Sequence, residues 1–276
     1  MKKNKILIII PSRFASTRLP EKPLVKIAGK EMVLRVAEIA NYVCNKVEGC
    51  NYIVATDHEK IVNFCKENNI AVMMTSENCK SGTERCWDVT TKIVEKPDFI
   101  VNLQGDNPLC PPWFIEQLIE AWKNDKEGQV FTPSLHLSWE EYDRMKESKK
   151  ITPYSGTTVE VDKFGYAVAF SKAMIPVIRN EEKVRKILDK SPVRRHIGLY
   201  SYTYDALKKY FEVEASPYEL PEGLEQMRFL HNRIPVKMID VDYRNRKSMS
   251  GVDSPEDIER AEKIIAEFGE FNLSPE

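Results

Sequence analysis

Five consecutive apolar β-formers, Ile6, Leu7, Ile8, Ile9 and Ile10, constrain this chain more than any other feature. A strand with one wet face alternates apolar and polar residues. This run does not alternate, so it predicts a strand buried on both faces. Pro11 stops it, because proline has no N–H to give a central ladder. The chain then carries Arg13, Arg18 and Lys22, with Ser16 and Thr17 between them and Pro20 and Pro23 stiffening the path. Three cations and two hydroxyls leaving a strand end suit a polyanion such as a nucleoside triphosphate. A basic surface loop paired with nearby carboxylates is the plainer alternative.

The first half repeats this strand-then-loop pattern. Tyr52 to Ala55 is a second apolar run, and Thr56 with Glu59 reads as a capping box opening a helix over Lys60 to Glu67. Ala71 to Met74 is a third strand. Ser81 and Glu84 form another possible capping box before a helix from about Arg85 to Glu95. Phe99 to Leu103 is a fourth strand, and Pro111 and Pro112 suit the first turn of a helix carrying Phe114 to Trp122. Strands alternating with helices predict an α/β fold, a mainly parallel sheet covered by helices. Ligands in such sheets bind beyond the carboxyl ends of the strands. The cationic loop, Thr56-Asp57, the Ser81 segment and Gln104-Gly105-Asp106 all fall at such ends.

The second half reads differently. Thr157 to Val161 and Tyr166 to Phe170 are β-rich and flank Asp162-Lys163-Phe164-Gly165, a hairpin signal. Glu181 to Lys190 is a charged helix or loop, His196 to Tyr202 returns to strand, and Glu222 to Arg233 has helical spacing. Val236 to Val241 is a further strand, and Ser254-Pro255 begins a last helix. The reading is one compact body with an inserted β-containing lobe.

Composition narrows the function. The 276 residues carry a net charge of −1, which gives no global field for nucleic acid or an anionic membrane, so any phosphate binding is local. The apolar run at Ile6 is far too short to span a bilayer and lacks a signal-peptide cleavage region. Six cysteines without a C-x-x-C pair read as free thiols in a reducing compartment, with the cytoplasm as the default.

Asp106 ends a hydrophobic strand after Gln104 and Gly105, well placed to hold Mg²⁺ and equally able to cap the turn before Pro108. Gly105 permits a close approach of backbone and ligand. Asp253 stands just before the last helix, where the dipole favours an acid in any case. As a pair from distant segments, the two aspartates point to one metal ion. Ser81-Gly82-Thr83-Glu84-Arg85 offers backbone N–H groups at a helix start to an anion or a base edge. His196, after Arg194 and Arg195, suits an acidic substrate or a plain structural role, and Tyr200 reads more as core than as ligand. Neither a Walker loop nor a G-x-G-x-x-G is present, which disfavours a dinucleotide oxidoreductase.

PSRFASTRLPEKPL from Pro11, ATD at Ala55, SGTER at Ser81, QGDNP at Gln104, RRHIGLYSY at Arg194, LEQMR at Leu224 and GVDSPEDIER at Gly251 fall in one order. Together they closely resemble the 3-deoxy-manno-octulosonate cytidylyltransferase family, from about Lys5 to about Ile265. The resemblance implies a nucleotide-diphospho-sugar-transferase-like, Rossmann-like fold, usually a homodimer, transferring CMP from CTP to an acidic 3-deoxy sugar (Kdo) with release of pyrophosphate, for lipopolysaccharide or a surface glycan. It implies Arg13, Ser16, Arg18 and Lys22 on the triphosphate, and Ser81, Gly82, Thr83, Arg85 and Gln104 on the cytidine side. Asp106 and Asp253 would hold Mg²⁺, with Arg18, Lys22 and Asp106 as the catalytic residues. Arg179, His196, Tyr200, Glu225 and Gln226 would line the sugar pocket. The implied domain layout places nucleotide and metal binding in about 1–130 and 234–276, and sugar binding and dimerisation in about 131–233.

The chain departs from the family pattern in three places. Asn107 replaces a usual glutamate beside the metal position, Thr158 stands where a lysine is common, and Lys172 replaces an arginine. These changes fall mostly in the sugar half, which leaves open a variant acceptor such as an 8-amino-3,8-dideoxy-octulosonate. A glycosyltransferase of the same broad fold is the competing class, although residues 104 to 108 offer one aspartate and no D-x-D pair. A non-enzymatic binding protein is the third.

Overall fold

The computed structural model describes residues 4–249 and 251–274. In chain order it begins with β1 (Ile6–Pro11), a 3-10 turn (Lys22–Leu24), β2 (Lys26–Ile27), β3 (Lys30–Glu31), α1 (Met32–Lys46), β4 (Cys50–Thr56), α2 (Glu59–Glu67) and β5 (Val72–Met74). Next come α3 (Gly82–Lys92), β6 (Phe99–Asn102), α4 (Pro112–Asn124), β7 (Val130–His136), α5 (Trp139–Ile151), β8 (Thr157–Val161) and β9 (Ala167–Ser171). The chain continues with α6 (Glu181–Arg185), β10 (Arg194–His196), β11 (Tyr200–Thr203), α7 (Tyr204–Glu212), α8 (Glu219–Glu222), α9 (Met227–His231), β12 (Val236–Asp240) and α10 (Pro255–Phe268).

Two compact units emerge. The first runs from the N-terminus to Gln117 and adds Leu199–Tyr204 and the segment from Tyr243 onward; the second comprises Leu118–Gly198 and Asp205–Asp242. In the first unit the strand order is β5-β4-β1-β6-β11. β1 lies parallel between β4 and β6, with Ile8 opposite Tyr52 on one side and Val101 on the other. Ile8, Ile9 and Ile10 are wholly buried, which is why the run carries no polar alternation. β11 closes this part of the sheet antiparallel to β6. Hydrogen bonds continue past the strand ends: Ser12 N donates to Ala55 O, Leu103 N to Ile9 O and Gly105 N to Pro11 O. The loops at the carboxyl ends are therefore fixed by the sheet itself.

In the second unit β12, β7, β10, β8 and β9 lie side by side, β12 parallel to β7 and the others antiparallel. The hairpin between β8 and β9 is built on Asp162, whose Oδ1 accepts the amides of Phe164 (2.8 Å) and Tyr166 (2.9 Å). Gly165 supplies the left-handed step there, at φ +84°.

Several elements differ from the sequence reading. The N-cap of α2 is His58, whose Nδ1 accepts the Lys60 amide, while Thr56 remains in β4. The stretch His196 to Tyr202 is not one strand. Buried residues on both sides of exposed Gly198 hide a break, and β10 and β11 belong to different units. The range Glu222 to Arg233 is not one helix: Glu222 ends α8, Gly223 at φ +61° terminates it, and helix resumes only over Met227–His231.

Candidate functional site

The site is assembled in the first unit from three distant segments. Leu19 and Val252 sit in one buried apolar cluster with Leu109 and Met249, which draws the cationic loop and the Asp253 segment together. Val252 N donates to Asp106 O at 2.7 Å and ties that segment to the end of β6. Gly251 and Gly105 permit this closeness. A Cβ on Gly251 would stand 3.1 Å from Asp106 Oδ1, and one on Gly105 would stand 2.5 Å from Pro11 O. Gly105 thus makes room for neighbouring backbone, and it also lines the cleft of the site.

The three segments meet at one cation. Lys22 Nζ donates to Asp106 Oδ2 at 2.7 Å and to Asp253 Oδ1 at 2.8 Å, and the lysine side chain is only 13% exposed. Arg18 reaches Asp253 Oδ2 at 3.3 Å from a more exposed position. Burial alone would push the Asp253 carboxyl up, but the hydrogen bond and charge of Lys22, with Arg18 behind it, hold it below its ordinary value. Ser16 Oγ accepts the Leu19 amide at 3.3 Å and folds the loop back on itself.

The other wall is the start of α3. Ser81 is its N-cap and accepts the Glu84 amide at 3.1 Å. Glu84 does not return the bond to Ser81. Its carboxylate takes the Lys80 amide at 2.6 Å, so the expected capping box is half formed. Helix and strand approach closely here: a Cβ on Gly82 would come within 2.9 Å of Gln104 Oε1. Gln104 Nε2 in turn donates to Asn102 Oδ1 at 3.1 Å. Arg85 is almost fully buried, its guanidinium on Asp57 Oδ2 at 2.8 Å and on Thr75 Oγ1 at 2.5 Å.

These groups border one cleft of about 240 Å³. Arg13, Ser16, Arg18, Lys22, Ser81, Gly82, Arg85, Gln104, Asp106 and Asp253 all line it. Thr83 does not. Its side chain points into the core, with Oγ1 3.4 Å from the Tyr202 hydroxyl, because position 83 lies on the buried face of α3. Cys79 and Lys80 line the cleft without having been singled out; a lysine directly before a helix N-cap was the available signal.

The residues expected around the sugar are distributed over both units. Tyr200 belongs to the first unit, buried and stacked at 6.2 Å on Tyr202. In the second unit His196 is buried on β10, with Nε2 2.8 Å from Thr132 Oγ1. Desolvation, aided by the charge of Lys172, lowers its pKa to about 3, so the ring is neutral near pH 7. Arg179 is exposed and Glu225 half-buried, while Gln226 is buried with Nε2 lacking a partner. Thr158 is fully buried and stitches β8 to the following segment, donating to Ala173 O at 2.6 Å and accepting the Ile175 amide at 3.1 Å.

Among the described residues no three His, Cys, Asp or Glu side chains gather as a metal cage. Two carboxylates sharing an ammonium at 2.7 and 2.8 Å are nevertheless a fitting pair for Mg²⁺, which takes its remaining oxygens from phosphate and water.

The comparisons with known proteins agree with this architecture. Residues 7–239 match the family model described as cytidylyltransferase. The 3-deoxy-manno-octulosonate cytidylyltransferase of Maricaulis maris is 40% identical over 96% of this chain and 99% of its own length. That of Haemophilus influenzae is 36% identical over 94% of this chain and 98% of its own. A solved structure of CMP:2-keto-3-deoxy-manno-octonic acid synthetase complexed with CTP superposes with a TM-score of 0.82 at 31% identity, covering 96% of this chain and 99% of that one. The fold is thus that of a nucleotide-diphospho-sugar transferase, and the chain belongs to the 3-deoxy-manno-octulosonate cytidylyltransferase family.

Proposed function

We propose that this enzyme transfers CMP from CTP to the anomeric hydroxyl of 3-deoxy-D-manno-octulosonate and releases pyrophosphate. The observation that carries the reading is the cleft in which Lys22 joins Asp106 and Asp253 beneath a cationic loop, facing the N-terminus of α3. The acceptor hydroxyl oxygen bonds to the α-phosphorus, the bond from that phosphorus to the bridging oxygen breaks, and the hydroxyl proton passes to solvent. Little covalent work falls to the protein, so positioning and charge neutralisation supply most of the acceleration. Arg13 and Arg18 are exposed on the loop and suit the β- and γ-phosphates. Lys22 is placed to offset charge on the leaving pyrophosphate. Ser81, Gly82 and Gln104 offer hydrogen-bonding groups to the cytidine side.

Asp106 and Asp253 would hold Mg²⁺, with Lys22 giving up its place between them and turning to phosphate. Bound there, the ion would neutralise phosphate charge and acidify the attacking hydroxyl. Arg179, His196, Glu225 and Gln226, with Tyr200, are the residues proposed for the acidic sugar. The same reading extends to a homodimer working in the cytoplasm on lipopolysaccharide synthesis. No helix among the described residues is long and apolar enough to cross a membrane.

Relatives named for the unsubstituted sugar do not favour the 8-amino variant as acceptor. The test is pyrophosphate release from CTP, Mg²⁺ and a panel of 2-keto-3-deoxy acids. Release with Kdo supports the reading; release only with an amino analogue, or none with any acid, rejects it.

A further inference from the structure

The Ala55-Thr56-Asp57 corner is a sequence motif that the nucleotide reading leaves without a task. Asp57 follows β4 and is 14% exposed. Its two carboxylate oxygens serve two different walls of the cleft. Oδ1 accepts the amide of Phe14 at 2.9 Å, in the cationic loop, and Oδ2 accepts Arg85 Nη2 at 2.8 Å, in α3. The residues that follow reinforce the first grip. The His58 ring stacks on Phe14 at 3.7 Å and 10°. Lys60 pairs with Glu21 at 2.5 Å, so the corner touches the loop both before Arg18 and directly before Lys22.

These contacts differ in weight. Lys60 and Glu21 are both about half exposed, and such pairs contribute little. Arg85 is 2% exposed, and a guanidinium in that setting requires its counter-charge. A carboxylate holding a backbone amide is likewise a charge-assisted bond. Asp57 is therefore the dominant link, and it joins the triphosphate loop to the cytidine-side segment through a single side chain.

We infer that Asp57 is a positioning residue of the nucleotide site: it fixes the cationic loop and Arg85 in one relative geometry before the nucleotide arrives. An unordered loop would lose that freedom on binding, and the loss would weaken affinity. The inference rests on the CTP reading, yet it concerns binding and not chemistry.

Calorimetric CTP affinity, KM for CTP and kcat are to be measured for wild type, Asp57→Asn and Asp57→Ala. Asparagine keeps an oxygen for the Phe14 amide and removes the charge facing Arg85; alanine removes both. The expected result is CTP binding weakened about 3- to 10-fold in Asp57→Asn and about 10- to 30-fold in Asp57→Ala, with KM rising in parallel and kcat within about twofold. Lys60→Met, which loosens only the exposed grip, should change affinity by less than about twofold. Where Asp57→Ala does not fold, the isosteric Asp57→Asn decides. CTP affinity within twofold of wild type in a folded Asp57→Asn, or a fall confined to kcat, overturns the inference. A wild type that binds CTP but releases no pyrophosphate rejects the proposed reaction and leaves the affinity comparison to judge Asp57.

Discussion

The nucleotide cleft and the second unit place their candidate site residues in different settings. At the cleft, charged residues from remote segments pair in direct contact: Lys22 with Asp106 and Asp253, Arg85 with Asp57. In the second unit the candidates vary in exposure, with His196 buried against Thr132, Gln226 buried with an idle donor, and Arg179 exposed. A phosphate tail carries several fixed charges, so its site can be held ready only if its own cations are already neutralised by carboxylates. The first unit meets that condition internally. Of the second unit's candidates, His196 and Gln226 are buried and uncharged near pH 7, which suits recognition of hydroxyls, while Arg179 supplies a guanidinium for an acidic group.

The harshest challenge to this contrast is Lys22→Met. The change removes the cation on which two carboxylates converge and leaves Asp106 and Asp253 facing each other. Turnover in the pyrophosphate assay should fall by about 10³-fold, as expected when a charge aimed at a developing anion is lost. A loss below tenfold would show that the convergence at Lys22 is structural only. Gly105→Ala asks the same of the backbone. Its Cβ would stand 2.5 Å from Pro11 O and 2.6 Å from Ser12 Oγ, neither of which is a flexible tip. Thermal unfolding should report a loss of about 1–3 kcal/mol, with KM for CTP rising as Asp106 is displaced.

The second unit is probed by acid. His196 has its pKa lowered from the ordinary 6.5 to about 3 by burial, so the unfolded chain binds a proton that the folded chain refuses between those values. Stability from this residue is complete above pH 6.5 and drains away as pH falls toward 3, at up to about 1.4 kcal/mol per pH unit. His136 is lowered too, chiefly by burial, and adds the same sign. Comparing His196→Asn with wild type by denaturant unfolding from pH 7 to pH 5 isolates the contribution of His196, and the variant should show the shallower slope. Asp253 does not interfere, since a carboxyl held below its ordinary 3.8 loses its contribution only at lower pH. Equal slopes would mean that the His196 ring is wetter than its packing indicates.

Much of the cleft was legible in the chain because its signals are local. An unbroken apolar run, a proline stop, a cationic loop and an aspartate at a strand end each occupy a few residues. The pairing of Asp106 with Asp253 was raised by the residues themselves, whereas the contact of Lys22 with both was not anticipated, for the partners lie 84 and 231 residues away. Other features were hidden for identifiable reasons. Helical phase at Thr83 places one side chain of a ligand-like motif in the core. The break at Gly198 falls inside a run that is buried on both sides, where periodicity carries no information. The bridge from Asp57 to Phe14 and Arg85 depends on three chain segments meeting, which no single motif encodes.

The smallest expected effect on stability belongs to Gln226→Leu, and it separates the two units most finely. Gln226 is 2% exposed and its Nε2 has no partner, so the native fold already bears the cost of a dry amide donor. Leucine of similar volume removes that donor, and unfolding free energy should stay within about 1 kcal/mol of wild type or rise slightly. If the idle donor is reserved for the acidic sugar, KM for Kdo should rise about tenfold while KM for CTP stays unchanged, since a site built to pair a hydroxyl is penalised when its partner group is missing. Unchanged KM values for both substrates would make Gln226 a packing residue and move the acceptor site elsewhere in the chain.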